Sequence, residues 1–257
     1  MTRLLREAIR MLGIESVRHQ GQVLPAPHLR SAGPEFKDDA YFLKSASAEA
    51  TRLVDDLGLT AESRVLEIGC GAGRLPIGLL GSDVAVHEYW GVDVREDVVR
   101  WCQRHITARN PSFYFVHVDA QNARYDPDGC AIGKDFRLPV ESASFDVIYL
   151  YSVFSHMLSD DVRVYLSEFD RLLAPDGRVF FTGFVEDDVP EVSVNPEDYG
   201  MAWRGPLHCV RYERRYLEWL ATEAGFRIDR VDYAIETDGQ SGLYMTRQQS
   251  TRPSLNK

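Results

Sequence analysis

The chain is 257 residues long, 44% hydrophobic and 26% charged, the make-up of a globular protein of one or two domains with material for a sizeable core. Its formal net charge of -10 argues against general polyanion binding, which needs clustered Lys and Arg, so no nucleic-acid partner is expected. Apolar runs such as 147–151 are too short to span a bilayer, and Arg3, Arg6 and Arg10 interrupt any signal-peptide core, so a cytoplasmic protein with no membrane partner is expected.

In chain order, Thr2 can cap a helix with Leu5, Ala8, Ile9 and Leu12 on one face and Gly13 at its end. Residues 21–33 hold Pro25, Pro27 and two glycines with little periodicity, and read as a loop. A second amphipathic helix is predicted over 38–57, with Phe42, Ala46, Ala50, Leu53 and Leu57 at helical spacing and Gly58 as its stop. Residues 1–58 are therefore expected to form a helical lid segment ahead of a main domain over 59–247.

From residue 64 the pattern alternates. Strands are predicted over 64–68, 89–93, 113–118, 145–150 and 178–181, with helices from the glycine cluster to about 80, over 96–108 and over 162–173. Such alternation implies parallel strands joined by helical crossovers, with binding at the strands' carboxyl ends. A helix over 212–224, capped by Gly225, and strands over 228–233 and 243–246 close the domain, and 248–257 reads as a disordered tail. The connections 122–137 and 186–209 are long for a compact α/β domain, and such segments often form lids and pockets.

The most informative segment is Glu67-Ile68-Gly69-Cys70-Gly71-Ala72-Gly73-Arg74. Glycines after a buried strand let a ligand approach the backbone. A dinucleotide site would need a further glycine or alanine where Arg74 or Pro76 stands, and no lysine followed by serine or threonine marks a P-loop. Asp93 ends the next strand, where a carboxylate can hold both hydroxyls of a ribose; the alternative is a cap for the helix that follows. Glu67 could be a surface strand residue. Asp119, just past the third strand, is placed either to read an adenine or to make a simple turn.

These residues resemble the class I S-adenosylmethionine-dependent methyltransferases over roughly 60–247. The glycine loop is the most specific piece, and Asp93, Asp119-Ala120, the stretch 138–146 and the stretch 172–178 fall in the order of that family's later motifs. The resemblance implies an α/β fold: a Rossmann-like, mostly parallel seven-stranded sheet with helices on both faces, its last strand (243–246) antiparallel beside the fifth. To this the chain would add the N-terminal lid and a lid insertion, 186–209, after the fifth strand. It also implies S-adenosylmethionine as cofactor. Gly69, Cys70, Gly71 and Gly73 would pass beneath its methionine and ribose, Glu67 and Arg74 would serve the methionine end, and Asp93 the ribose. Asp119 and Ala120 would serve the adenine, with Leu150 and Tyr151 at the end of the fourth strand.

Methyl transfer needs an acceptor placed in line and relieved of its proton. His156, just after the fourth strand, is the candidate catalytic base, or else a pocket residue. His208 is a weaker second candidate, read first as an ordinary loop histidine. Phe36, Tyr41, Tyr199, Trp203 and His208 are candidate acceptor-binding residues on the two lids. The segments resemble bacterial small-molecule methyltransferases, so the expected partner is a small-molecule acceptor methylated on a hydroxyl, a sugar or related metabolite. An N-methyltransferase of amines or aminosugars is the alternative, and a cofactor-binding regulatory protein without turnover is another. A homodimer is allowed. No metal is expected: Glu186-Asp187-Asp188 reads as a charged loop, and Cys70, Cys102, Cys130 and Cys209 form no CxxC pair.

Overall fold

The computed structural model describes residues 13–31 and 33–248. The helix expected at the extreme N-terminus and the tail expected beyond residue 248 therefore lie outside the described residues, apart from Gly13 and Gln248 at their edges. The first described element corrects the loop expected at 21–33. Strands β1 (Ser16–His19) and β2 (Gln22–Pro25) pair antiparallel around Gln20 and Gly21, which both take positive φ, as a two-residue hairpin turn requires. Leu24 and Ala26 at the end of this hairpin have no exposed surface. A 3-10 turn, Pro34–Lys37, leads into helix α1 (Asp39–Asp55), whose N-cap Asp38 accepts a hydrogen bond from the Tyr41 amide.

The main sheet runs β10 (Phe226–Asp232), β11 (Ser241–Arg247), β7 (Leu173–Glu186), β6 (Phe145–Leu150), β3 (Arg64–Ile68), β4 (Glu88–Asp93), β5 (Phe113–His117), with β9 (Val210–Glu213) paired to the end of β7 and β8 (Val192–Val194) to β9. The middle of the five parallel strands β7-β6-β3-β4-β5 is β3 (Arg64–Ile68), which pairs with β4 (Glu88–Asp93) on one side and with β6 (Phe145–Leu150) on the other. β5 (Phe113–His117) closes one edge. β7 (Leu173–Glu186) contains the expected fifth strand, its pairing with β6 jumping from Leu173 to Arg178 across the Pro175-Asp176-Gly177 turn. β11 (Ser241–Arg247) runs antiparallel between β7 and β10 (Phe226–Asp232), the arrangement the resemblance implies.

Alternation along the strands divides the core in two. Leu66 and Ile68 face helices α4 (Ser159–Leu172) and α5 (Arg214–Glu223), through residues such as Leu166, Phe169 and Leu217. Val65 faces the opposite side with α1, α2 (Arg74–Leu80) and α3 (Glu96–Cys102), through Leu53, Leu75 and Trp101. Gly78 makes the α1–α2 contact close: a β-carbon there would overlap the Ala46 carbonyl. The expected lid insertion, 186–209, contains β8 (Val192–Val194), which pairs antiparallel with β9 (Val210–Glu213) just beyond it, and β9 lies parallel to the end of β7. No helix among the described residues is long and apolar enough to cross a membrane.

Candidate functional site

At the carboxyl edge of β3, β4 and β6 lies a cavity of about 730 Å³. The glycine loop forms one wall. Gly69 has φ 72°, and a β-carbon there would strike Val153, while the equivalent space at Gly71 is open, so the backbone is bare toward the cavity. Cys70 also lines the cavity. Gly73 does not: its absent side chain makes room for Ile106 and Cys102 instead.

Asp93 holds this loop from beneath. Its Oδ2 accepts from the Gly71 amide at 2.7 Å and its Oδ1 from the Arg95 amide at 2.8 Å, while Arg95 itself is the N-cap of α3. A carboxylate offers about four acceptor positions, so two remain for ligand hydroxyls. Burial raises its pKa, and the two amides oppose that shift. Glu67 is buried and not a surface residue; the Tyr89 hydroxyl donates to its Oε2. Burial pushes its carboxyl up to about 8, against the Tyr89 bond. Arg74 pairs with the buried Glu49 of α1 and is sandwiched between the rings of Phe36 and Tyr151, at 4.7 and 4.5 Å from their centroids.

The other half of the cavity is built around His156, in the 3-10 turn that follows β6. Its Nδ1 lies 2.9 Å from the Leu207 carbonyl, which can only accept, so Nδ1 carries the proton and Nε2 is left with its lone pair. The Ser152 hydroxyl is 3.4 Å from Nε2, a long contact. Burial, reinforced by Arg124 and His208, lowers the pKa of His156 to about 4, the Leu207 bond working the other way. Trp203 packs near Phe184 and His208, with its indole donating to the Pro196 carbonyl at 2.8 Å. Phe36 reaches the cavity from the N-terminal side.

Thus the cavity brings together Glu67, Gly69, Cys70, Gly71, Arg74, Asp93, Tyr151 and His156 with Phe36, Trp203 and His208. Besides Gly73, five expected residues do not line it. Asp119 is exposed and accepts from the Cys130 amide and thiol; its neighbour Ala120 is buried in the core. Leu150 points into the core with no exposed surface. Tyr41 is half exposed and packs edge-on against Phe36, and Tyr199 packs on Phe184 and beneath Arg211. Sequence reasoning missed Arg124, Tyr125, Arg204 and Gln240, all cavity residues in irregular segments. The only signal for Arg124 and Tyr125 is the unusual length of their loop.

The Methyltransferase domain family matches residues 42–231, and the chain belongs to that family. Its cofactor is S-adenosylmethionine. The exposed glycine backbone and the spare acceptor positions of a buried Asp93 suit a ribose-bearing cationic donor. Solved structures show the same fold at low identity. A protein from Pyrococcus horikoshii OT3, PH0226, is 17% identical with a TM-score of 0.56, over 84% of this chain and 94% of that one. The [4+2]-cyclase SpnF is 19% identical with a TM-score of 0.53, over 74% of this chain and 60% of that one. The mitomycin 7-O-methyltransferase MmcR is 15% identical with a TM-score of 0.53, over 79% and 54%. The chain thus spans less than two thirds of the latter two, and a cyclase beside a methyltransferase shows that the fold does not fix the reaction.

Proposed function

We propose that this chain transfers the methyl group of S-adenosylmethionine to a hydroxyl of a small molecule, a sugar or related metabolite, with His156 as the proton acceptor. The observation that carries the reading is the bond from His156 Nδ1 to the Leu207 carbonyl, which leaves Nε2 as an acceptor at the cavity wall.

S-adenosylmethionine supplies an electrophilic methyl group on a sulfonium centre. The chain's task is to place a hydroxyl oxygen in line with that methyl and to take up its proton. An alcohol oxygen becomes strongly acidic as it gains a methyl group, so an imidazole with a pKa of about 4 still accepts the proton as the C–O bond forms. An alkylammonium product is a far weaker acid than that imidazolium, so the same residue offers little to an amine. The low pKa also keeps His156 neutral at physiological pH. Phe36 and Trp203 give the cavity aromatic walls that suit a sugar-like ligand and keep water from the reacting carbon.

The test is incubation with a donor carrying an isotopically labelled methyl group and a panel of hydroxylated and amine-bearing metabolites. Label on an oxygen, strongly reduced in His156→Gln, supports the reading. Label on nitrogen overturns it.

A further inference from the structure

The cavity is lined by five arginines, and three of them are neutralised within the protein. Arg30 pairs with Asp39 at 2.6 Å, Arg95 with Asp97 at 2.7 Å and Arg74 with Glu49. The other two, Arg124 and Arg204, have no ion-pair partner among the described residues. They lie together: Arg124 Nη1 donates to the Arg204 carbonyl at 2.9 Å, and the Arg204 amide donates to His208 Nδ1 at 2.6 Å. The Arg124 Nε is buried with no hydrogen-bond partner, a donor that is costly to leave unmade. Both charges are felt at the acceptor end, since Arg124 lowers the pKa of His156 and both arginines lower that of His208. Asp238 is the one carboxylate among the described lining residues of this half, and its field acts on His208.

We propose that the acceptor is an anionic hydroxy compound, its carboxylate or phosphate held by Arg124 and Arg204 while its hydroxyl faces His156. This rests on the proposed hydroxyl transfer and names the substrate class for it. A guanidinium fork matches both anions, and such charge-assisted bonds are stronger than neutral ones. The chain's net charge of -10 gives an anion no general attraction, so its recognition depends on this local pair. The anion would satisfy the unpaired Nε donor and offset the Arg124 charge that acts on the histidine that must accept a proton.

The experiment uses the full chain saturated with S-adenosylhomocysteine, the demethylated cofactor. Thermal midpoints are measured against inorganic phosphate and, separately, acetate, at ionic strength held constant with sodium chloride. Wild type is compared with Arg124→Gln, Arg204→Gln and Arg124→Lys. The expected result is saturable stabilisation of wild type by one of the two anions, which identifies a phosphorylated or a carboxylated acceptor. Apparent anion affinity should fall about tenfold or more in either Gln variant, with partial recovery in Arg124→Lys. S-adenosylhomocysteine affinity in the same variants should stay unchanged, which controls for folding. Equal responses to both anions in wild type and variants would overturn the inference. Because anion binding needs no turnover, arginine-dependent binding in a protein that methylates no hydroxyl would sink the hydroxyl reading and leave the anion site standing.

Discussion

His156 and Leu207 are joined across two segments far apart in sequence: the imidazole Nδ1 donates at 2.9 Å to a carbonyl of the insertion that follows the fifth parallel strand. One bond therefore fixes the tautomer of the proposed base and ties the acceptor wall to the strand that positions it. Replacing His156 by Gln or Ala should lower turnover by about 10²–10⁴, the usual contribution of a general base, with donor affinity nearly unchanged. Steady-state kinetics with parallel titration of S-adenosylhomocysteine checks both halves. If donor affinity falls and turnover does not, His156 belongs to the cofactor pocket.

The same residue predicts a pH dependence of stability. Its pKa falls from 6.5 to about 4 on folding, so between those values the unfolded chain binds the proton and the native chain does not. Stability on this account should fall as pH drops through that window and be unaffected by it above about 7. Thermal melts of wild type and His156→Gln should diverge only below pH 6.5. Parallel curves over pH 4–7 would contradict the assignment of a buried neutral imidazole.

Glu67 carries a carboxyl raised to about 8 by burial, so it is mostly protonated in the free protein at neutral pH. A cationic amino group at the methionine end of the cofactor favours its ionised form. Cofactor binding should then release a proton, and affinity should rise with pH from about 6 to 8. Calorimetry in two buffers of different ionisation enthalpy measures that proton directly, and Glu67→Gln should abolish it. A release that persists in Glu67→Gln comes from another group.

Within the insertion Trp203 donates to the Pro196 carbonyl and lies 5.5 Å from the ring of His208. Trp203→Ala should raise the acceptor KM by about tenfold or more, the scale of losing a buried aromatic face, and move the donor KM much less. The N-terminal wall needs a different test. Removing it wholesale would strip Leu24, Ala26 and Leu29 from the core, so Phe36→Ala is the informative change there.

The parts legible in the sequence were those with strong periodicity or glycine geometry. β3 and β6 have the expected bounds, and the Glu67–Arg74 loop sits where its glycines placed it, because a buried strand followed by a tight turn has few alternatives. The β1–β2 hairpin was not legible: each strand has four residues, and Gln20-Gly21 is not among the strongest turn signals. Asp119 and Leu150 lie just past β5 and at the end of β6, but the direction of each side chain was not legible, because it depends on Cys130 and on the core under β6. Arg124 and Arg204 sit in segments without periodicity, where only the fold brings them together.

The close α1–α2 approach gives a stability prediction independent of chemistry. Gly78→Ala places a methyl group against the Ala46 carbonyl and should destabilise the fold by about 1–3 kcal/mol, the cost of overpacking. Denaturant melts measure this. A neutral or stabilising effect would mean that the helices separate freely.

The central claim is that the glycine loop and Asp93 hold the cofactor. Calorimetric titration of S-adenosylhomocysteine into wild type and Asp93→Ala tests it most directly. Wild type should bind, and the variant should lose about 1.5–3 kcal/mol of affinity, the scale of hydrogen bonds to a charged group. Unchanged affinity in a folded Asp93→Ala protein, or binding of NAD in place of S-adenosylhomocysteine, would contradict the account.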